Sequence, residues 1–190
     1  LRLTKSNEEV DKIRDAISIT KRGIAMLMKN ANIGMKEYEL EAYFDFNCKI
    51  KGAKDLAFRT IAAAGKNATT LHYVSNDSEI KKGDLILFDL GAQYKYYNAD
   101  ITRTFPVSGK FTERQKEVYN SVLKVNEEII KLIKPGVKYK DVNDKATDLI
   151  AEECIKLGLI TDKKDVRKYY YHSIGHSLGM DTHDVETPHR

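Results

Sequence analysis

An apolar run that ends in an acid constrains this chain more than any other stretch. Lys82-Gly83-Asp84 reads as a turn into Leu85-Ile-Leu-Phe-Asp89-Leu, a strand by its apolar density. A lone carboxylate at the end of such a run is costly to bury unless it is partnered. Asp100 follows eleven residues later, within a second sheet-like stretch from Tyr94 to Val107. The spacing predicts two adjacent antiparallel strands with a turn near Tyr94 to Tyr96, bringing both acids to one level. Two such carboxylates can face one cation or a pair, since hard divalent ions prefer oxygen ligands. Alone, Asp89 would read as a surface acid at a strand end.

Helices flank this region. Ser6-Asn-Glu-Glu9 is a capping box, and Val10, Ile13, Ala16, Ile17, Thr20 and Ile24 repeat at helical spacing up to about Asn30. A second helix is expected from about Lys36 to Lys51. Thr112 should cap a third, running to about Lys134 and stopped by Pro135-Gly136. A fourth is expected from Asp141 to about Leu157. Leu56 to Ala62, Leu71 to Val74, Gly158 to Ile160 and Arg167 to Ile174 read as extended. A weak repeat is visible at an offset of 102 residues: Lys29–Ala42 resembles Lys131–Asp144, each a long helix, a glycine and a short bridge to a second helix. Chance likeness of two amphipathic helix pairs is the alternative.

Three histidines, His172, His176 and His183, fall within twelve residues, and His72 lies further upstream. The spacing of His172 and His176 is that of a zinc-binding helix, but Ser173 stands where that motif needs glutamate, and Gly175 and Gly179 argue for a bent backbone instead. His172 could orient a ligand rather than be one. Taken alone, His72 is an ordinary surface or core histidine. No nucleophile elbow and no glycine-rich phosphate loop occur. Cys48 and Cys154 sit in helical patterns away from any histidine, as reduced thiols of a cytoplasmic protein would.

Composition narrows the classes further. With 190 residues, 42% hydrophobic and 32% charged, the chain can build one packed domain. A net charge of +4, with lysines mixed among acids, predicts no nucleic-acid partner. No apolar run approaches a membrane span, so no membrane partner is expected.

The blocks Asn67 to Tyr73, Lys82 to Gly91, Asn98 to Val107 and His172 to Asp184 closely resemble those of the pita-bread metallopeptidases, in particular the proline-specific aminopeptidase P and prolidase. They stand in family order from about Ser6 to Asp184. The resemblance implies an α+β pita-bread fold of two pseudo-symmetric halves, and a dinuclear site with two divalent ions. Manganese is expected first, with cobalt or zinc as alternatives. Asp89 would chelate one ion, Asp100 would bridge the two and His176 would bind the second. His72 and His183 would line the substrate site and stabilise the tetrahedral intermediate, and His172 would shape the adjoining pocket or contact substrate. A bridging hydroxide would then attack the Xaa-Pro bond of a proline-containing peptide. The family completes its site with two glutamates beyond the last histidine block, and Glu186 lies too close to His183 to match either. Residues 1–190 are therefore expected to be a partial catalytic domain with its second half incomplete, inactive by itself, with exposed apolar surface that favours a homodimer. Prolidase, or a pita-bread module that binds without catalysis, are the other readings the residues leave open.

Overall fold

The computed structural model describes residues 2–186. The chain divides into two compact units, residues 2–110 with 177–186, and residues 111–176.

The first unit opens with α1 (Asn7–Asn30), whose capping box forms as read: Glu9 N–H donates to Ser6 Oγ at 3.3 Å and Ser6 N–H to Glu9 Oε2 at 2.7 Å. Its inner stripe, Ala16, Ile19, Thr20, Gly23, Ile24 and Leu27, follows the three-and-four spacing of a helix packed on one side. α2 (Glu37–Ile50) returns against it, with Leu40, Phe44 and Cys48 buried. Gly23 makes this approach possible. A Cβ there would stand 2.5 Å from Cδ2 of Phe44.

The sheet follows. β1 (Asp55–Leu56) and β2 (Ile61–Ala64) replace the single strand expected over residues 56–62, because residues 57–60 bend between two different partners. β1 pairs with β4 (Ala92–Tyr94), and β2 pairs antiparallel with β3 (Leu85–Leu90). β5 (Tyr97–Asn98) and β6 (Ile101–Pro106) run back along β4 and β3. Together β3 to β6 form one long hairpin. It turns at Lys95 and Tyr96, with φ of 48° and 72°. Two successive positive φ values match the right-handed twist of the flanking strands.

β2 is an edge strand, and its outward amides meet side chains rather than another strand. Ala62 N–H donates to Asn76 Oδ1 at 3.0 Å, and Ala64 N–H to Glu37 Oε1 at 2.7 Å. Asn76 also donates to the Thr60 carbonyl at 2.8 Å. These side chains blunt an edge that would otherwise offer itself to a new strand. They also leave residues 71–74 without a strand to join. Leu71 to Val74, expected as extended, instead form a turn after a 3₁₀ segment (Gly65–Thr69).

The second unit holds α3 (Glu113–Leu132) and α4 (Tyr139–Lys156). Thr112 caps α3 with a complete capping box. Gly158–Ile160 and residues 167–174, expected as extended, contain no strand. A 3₁₀ segment (Lys163–Lys168) and irregular chain stand there, with Val166 and Ile160 packed against Ala151 and Cys154 of α4. The repeat is real at the connectors. Residues 31–36 and 133–138 have the same length, and Gly34 and Gly136 both sit at φ 90°.

Candidate active site

Strand parity decides how the two acids meet. Leu90 faces Ile101 and Gln93 faces Asn98, so an unbroken register sets Gly91 opposite Asp100. Asp89 is opposite Thr102. The two carboxylates are therefore not on one rung, as expected from the spacing, but on neighbouring same-face rungs of one hairpin, a diagonal pair of the kind whose side chains still interact. Both residues are half-buried. Thr102 Oγ1 donates to Asp89 Oδ1 at 2.9 Å and so fixes that carboxylate. Gly91 is obligatory: a Cβ there would lie 1.8 Å from the Ala99 carbonyl oxygen. This close approach keeps the strands together where the ladder passes Asp100.

His183 is exposed on the segment 177–186, which several bonds tie to the same hairpin. Asn98 N–H donates to the Gly179 carbonyl at 2.9 Å, and Asn98 Nδ2 to the Met180 carbonyl at 2.9 Å. Thr182 Oγ1 donates to the Ala57 carbonyl at 2.9 Å. Asp184, next to His183, is buried, accepts from Lys5 Nζ at 2.8 Å and is ion-paired to Arg2. Burial alone would raise its carboxyl, but Lys5, the Val185 amide and Arg2 outweigh that and hold it below the usual carboxylate range. Gly179 is required here too, since a Cβ would come 2.2 Å from Asp184 Oδ2. His72 is exposed on the turn after β2 with φ of 54°, a conformation side chains seldom adopt.

In the second unit, His172 and His176 lie on irregular chain rather than on a helix, in line with the bent backbone expected there. His172 is exposed, its Nδ1 2.7 Å from the Ser173 carbonyl oxygen. Gly175 N–H donates to Tyr139 Oη at 2.9 Å, and that hydroxyl donates back to the Gly175 carbonyl. The register thus places Asp89 and Asp100 on neighbouring rungs of one hairpin, and bonds tie the His183 segment to that hairpin. Among the described residues, no three His, Cys, Asp or Glu side chains gather closely enough to hold a metal ion. Glu37, Asn98, Thr102 and Tyr139 escaped the sequence reading. Each acts through a bond to a distant residue, and only the placement of Asn98 and Thr102 within the block Asn98 to Val107 hinted at a role.

Both cysteines are buried and unbridged. Burial pushes the Cys48 thiol up to about 12 and raises that of Cys154, which leaves both inert as nucleophiles.

Comparison with known proteins agrees with these features. Residues 11–190 match the model of metallopeptidase family M24. An Xaa-Pro aminopeptidase 3 of Dictyostelium discoideum is 48% identical over 153 residues, covering 80% of this chain and 30% of that protein. A solved Bacillus anthracis chain superposes with a TM-score of 0.96 at 52% identity, covering 98% of this chain and 44% of the other. Zinc-substituted Escherichia coli aminopeptidase P, in complex with product, gives 0.94 at 37% identity with the same coverage. The chain thus spans less than half the length of these relatives. Its helices and antiparallel sheet are those of the pita-bread fold, the α+β class expected from the resemblance. By family match, by sequence identity and by fold, the chain belongs to metallopeptidase family M24.

Proposed function

We propose that residues 1–190 are part of the catalytic domain of an Xaa-Pro aminopeptidase, which cleaves the bond between the first residue of a peptide and a following proline. The observation that carries this reading is the diagonal pair Asp89 and Asp100 on one face of a single hairpin, in a chain whose relatives include proteins named Xaa-Pro aminopeptidase.

The donor set fits a divalent ion. Two half-buried carboxylates present oxygen to a shared face, and the Thr102 hydroxyl orients one of them. Asp89, Asp100 and His176 would hold two ions, manganese first and cobalt or zinc as alternatives, with further ligands drawn from outside these residues. Divalent ions held there would acidify a water molecule and polarise the scissile carbonyl. His72 and His183 would donate to the oxyanion as it forms, a role that needs donors fixed before reaction. His172 would shape the adjoining pocket or contact the substrate.

Other features support the setting. Two buried free thiols suit a reducing cytoplasm. No helix among the described residues is long and apolar enough to cross a membrane. Lysines such as Lys124, Lys156 and Lys163 are committed to carboxylates rather than grouped for nucleic acid. Val122, Ile130 and Ile133 lie exposed on and just after α3, a surface that supports a homodimer.

The test is manganese binding by calorimetry alongside cleavage of Xaa-Pro tripeptides by the intact protein and by Asp100→Ala. Binding and turnover that both vanish in the variant are expected. Cleavage of Xaa-Pro dipeptides alone would reassign the protein as a dipeptidase, and wild-type protein that neither binds metal nor cleaves peptide would make it a non-catalytic module.

A further inference from the structure

The first residue of the second helix does the same job in both units with different chemistry. Glu37 opens α2, and Tyr139, 102 residues later, opens α4. The Glu37 carboxylate is fully buried and takes four donors. Oε1 accepts from Ala64 N–H at 2.7 Å and Asn67 Nδ2 at 3.0 Å, and Oε2 from Tyr73 Oη at 2.7 Å and Ser78 N–H at 3.0 Å. Those donors come from both ends and the middle of residues 64–78, the segment whose turn holds His72 at positive φ. Such a conformation persists only when its surroundings impose it. Tyr139 closes on Gly175 through both the amide and the carbonyl, immediately before His176. One turn along each helix the pattern repeats. Glu41 Oε2 accepts from Asn76 Nδ2 at 2.9 Å, and Asn143 Oδ1, again 102 residues on, accepts from Ile174 N–H at 3.3 Å.

We propose that Glu37 and Tyr139 are matched positioning residues, each fixing the histidine-bearing loop of its own unit: Glu37 sets His72 and Tyr139 sets His176. The assignment rests on the roles given to those histidines above. Neither residue needs to touch substrate. Glu37→Gln would put an amide donor against groups that are themselves donors, whereas Tyr139→Phe would remove both Gly175 bonds and keep the ring.

The experiment uses the intact protein, metal-free, with ring-labelled histidine. Magnetic resonance should show Tyr139→Phe displacing or broadening the His176 signals while His72 and His183 stay in place, and Glu37→Gln displacing His72 while His176 and His183 stay in place. With manganese restored, each variant should lose about tenfold or more in kcat on an Xaa-Pro peptide with KM changed less than about threefold, as for a group needed in the transition state but not for binding. Signals of the assigned histidine that do not move, or all five histidines moving alike, would overturn the proposal. So would unchanged kcat in a protein that His72→Ala and His176→Ala inactivate. If the signals move as expected while His72→Ala retains full turnover, the positioning stands and the catalytic reading of that histidine falls. Should Glu37→Gln fail to fold by circular dichroism, Tyr73→Phe, which removes one of the four donors, takes its place with the same outcomes.

Discussion

In the first helix pair the large side chain is on the second helix. Phe44 of α2 fills the space against Gly23 of α1. At the corresponding places of the second pair, 102 residues on, the sizes are exchanged: Val125 stands on α3 and Ala146 on α4, both buried in one cluster. Leu27 and Leu40 of the first pair likewise correspond to Ile129 and Val142 of the second, all four buried. One plan of connector and inner positions is therefore filled by two complementary sets of side chains. Packing requires the summed volume at a contact to fit rather than any one residue to persist. The pairs differ in what lies on them. α1 and α2 share a core with the sheet residues Ile86, Phe88 and Leu90, whereas among the described residues the cluster of α3 and α4 contains only helix residues and Ile174.

That comparison breaks or sharpens at specific positions. The largest effect is expected at Phe44→Ala, which should cost about 3–5 kcal/mol in urea unfolding. Adding Gly23→Val, the second pair's residue at that place, should make the double variant less unstable than the sum of the single changes by about 1 kcal/mol or more. Strict additivity would show that the size exchange carries no complementarity. Next comes Asn98→Ala, which should cost about 1–3 kcal/mol by removing two half-buried hydrogen bonds, to Gln93 and to the Met180 carbonyl, and should speed protease cleavage within residues 177–186 without touching the second unit.

Gly34→Ala and Gly136→Ala test the connectors directly. Both glycines have open space around a Cβ and the same positive φ, so each change should cost about 1–2 kcal/mol through backbone strain alone. Unequal losses would end the equivalence of the two connectors. The smallest effect concerns Glu153, which only the second unit contains. Hydrogen bonds from Lys124 and Lys156 outweigh burial and hold its carboxyl at about 2. A folded-state value below the unfolded 4.5 means that its stabilisation is full above 4.5 and fades as pH falls towards 2. Thermal unfolding of Glu153→Gln should match the wild type more closely at low pH than at neutral pH. A constant gap between the two would refute this account of the carboxylate.

Much of the fold was legible because it is written locally. The Ser6 capping box, the Thr112 cap, the glycine ends of the connectors and the three-and-four apolar stripes place all four helices within a few residues of where they stand. Asp89 in an apolar run and Asp100 beyond a turn gave the hairpin. The turn itself, Lys95-Tyr96, carries none of the glycine or asparagine that such a conformation favours, so its type could not be read. The extended readings of Leu71–Val74 and of residues 167–174 failed for another reason. Short apolar runs say nothing about whether a strand has a free partner, and in one case Asn76 and Glu37 had already taken the edge of β2.

What the sequence determined by itself is therefore whatever depends on neighbours within a turn of helix or along one strand: the helices, their caps, the repeated connector and the strand that carries Asp89. Tertiary structure alone decided how the histidine-bearing segments are held. Their anchors are buried polar groups that must find partners once water is excluded, and those partners lie far along the chain. Glu37 meets an amide 27 positions away and Asn98 a carbonyl 82 positions away. No local pattern encodes such a pairing, because it exists only when the packed elements bring the two groups into reach.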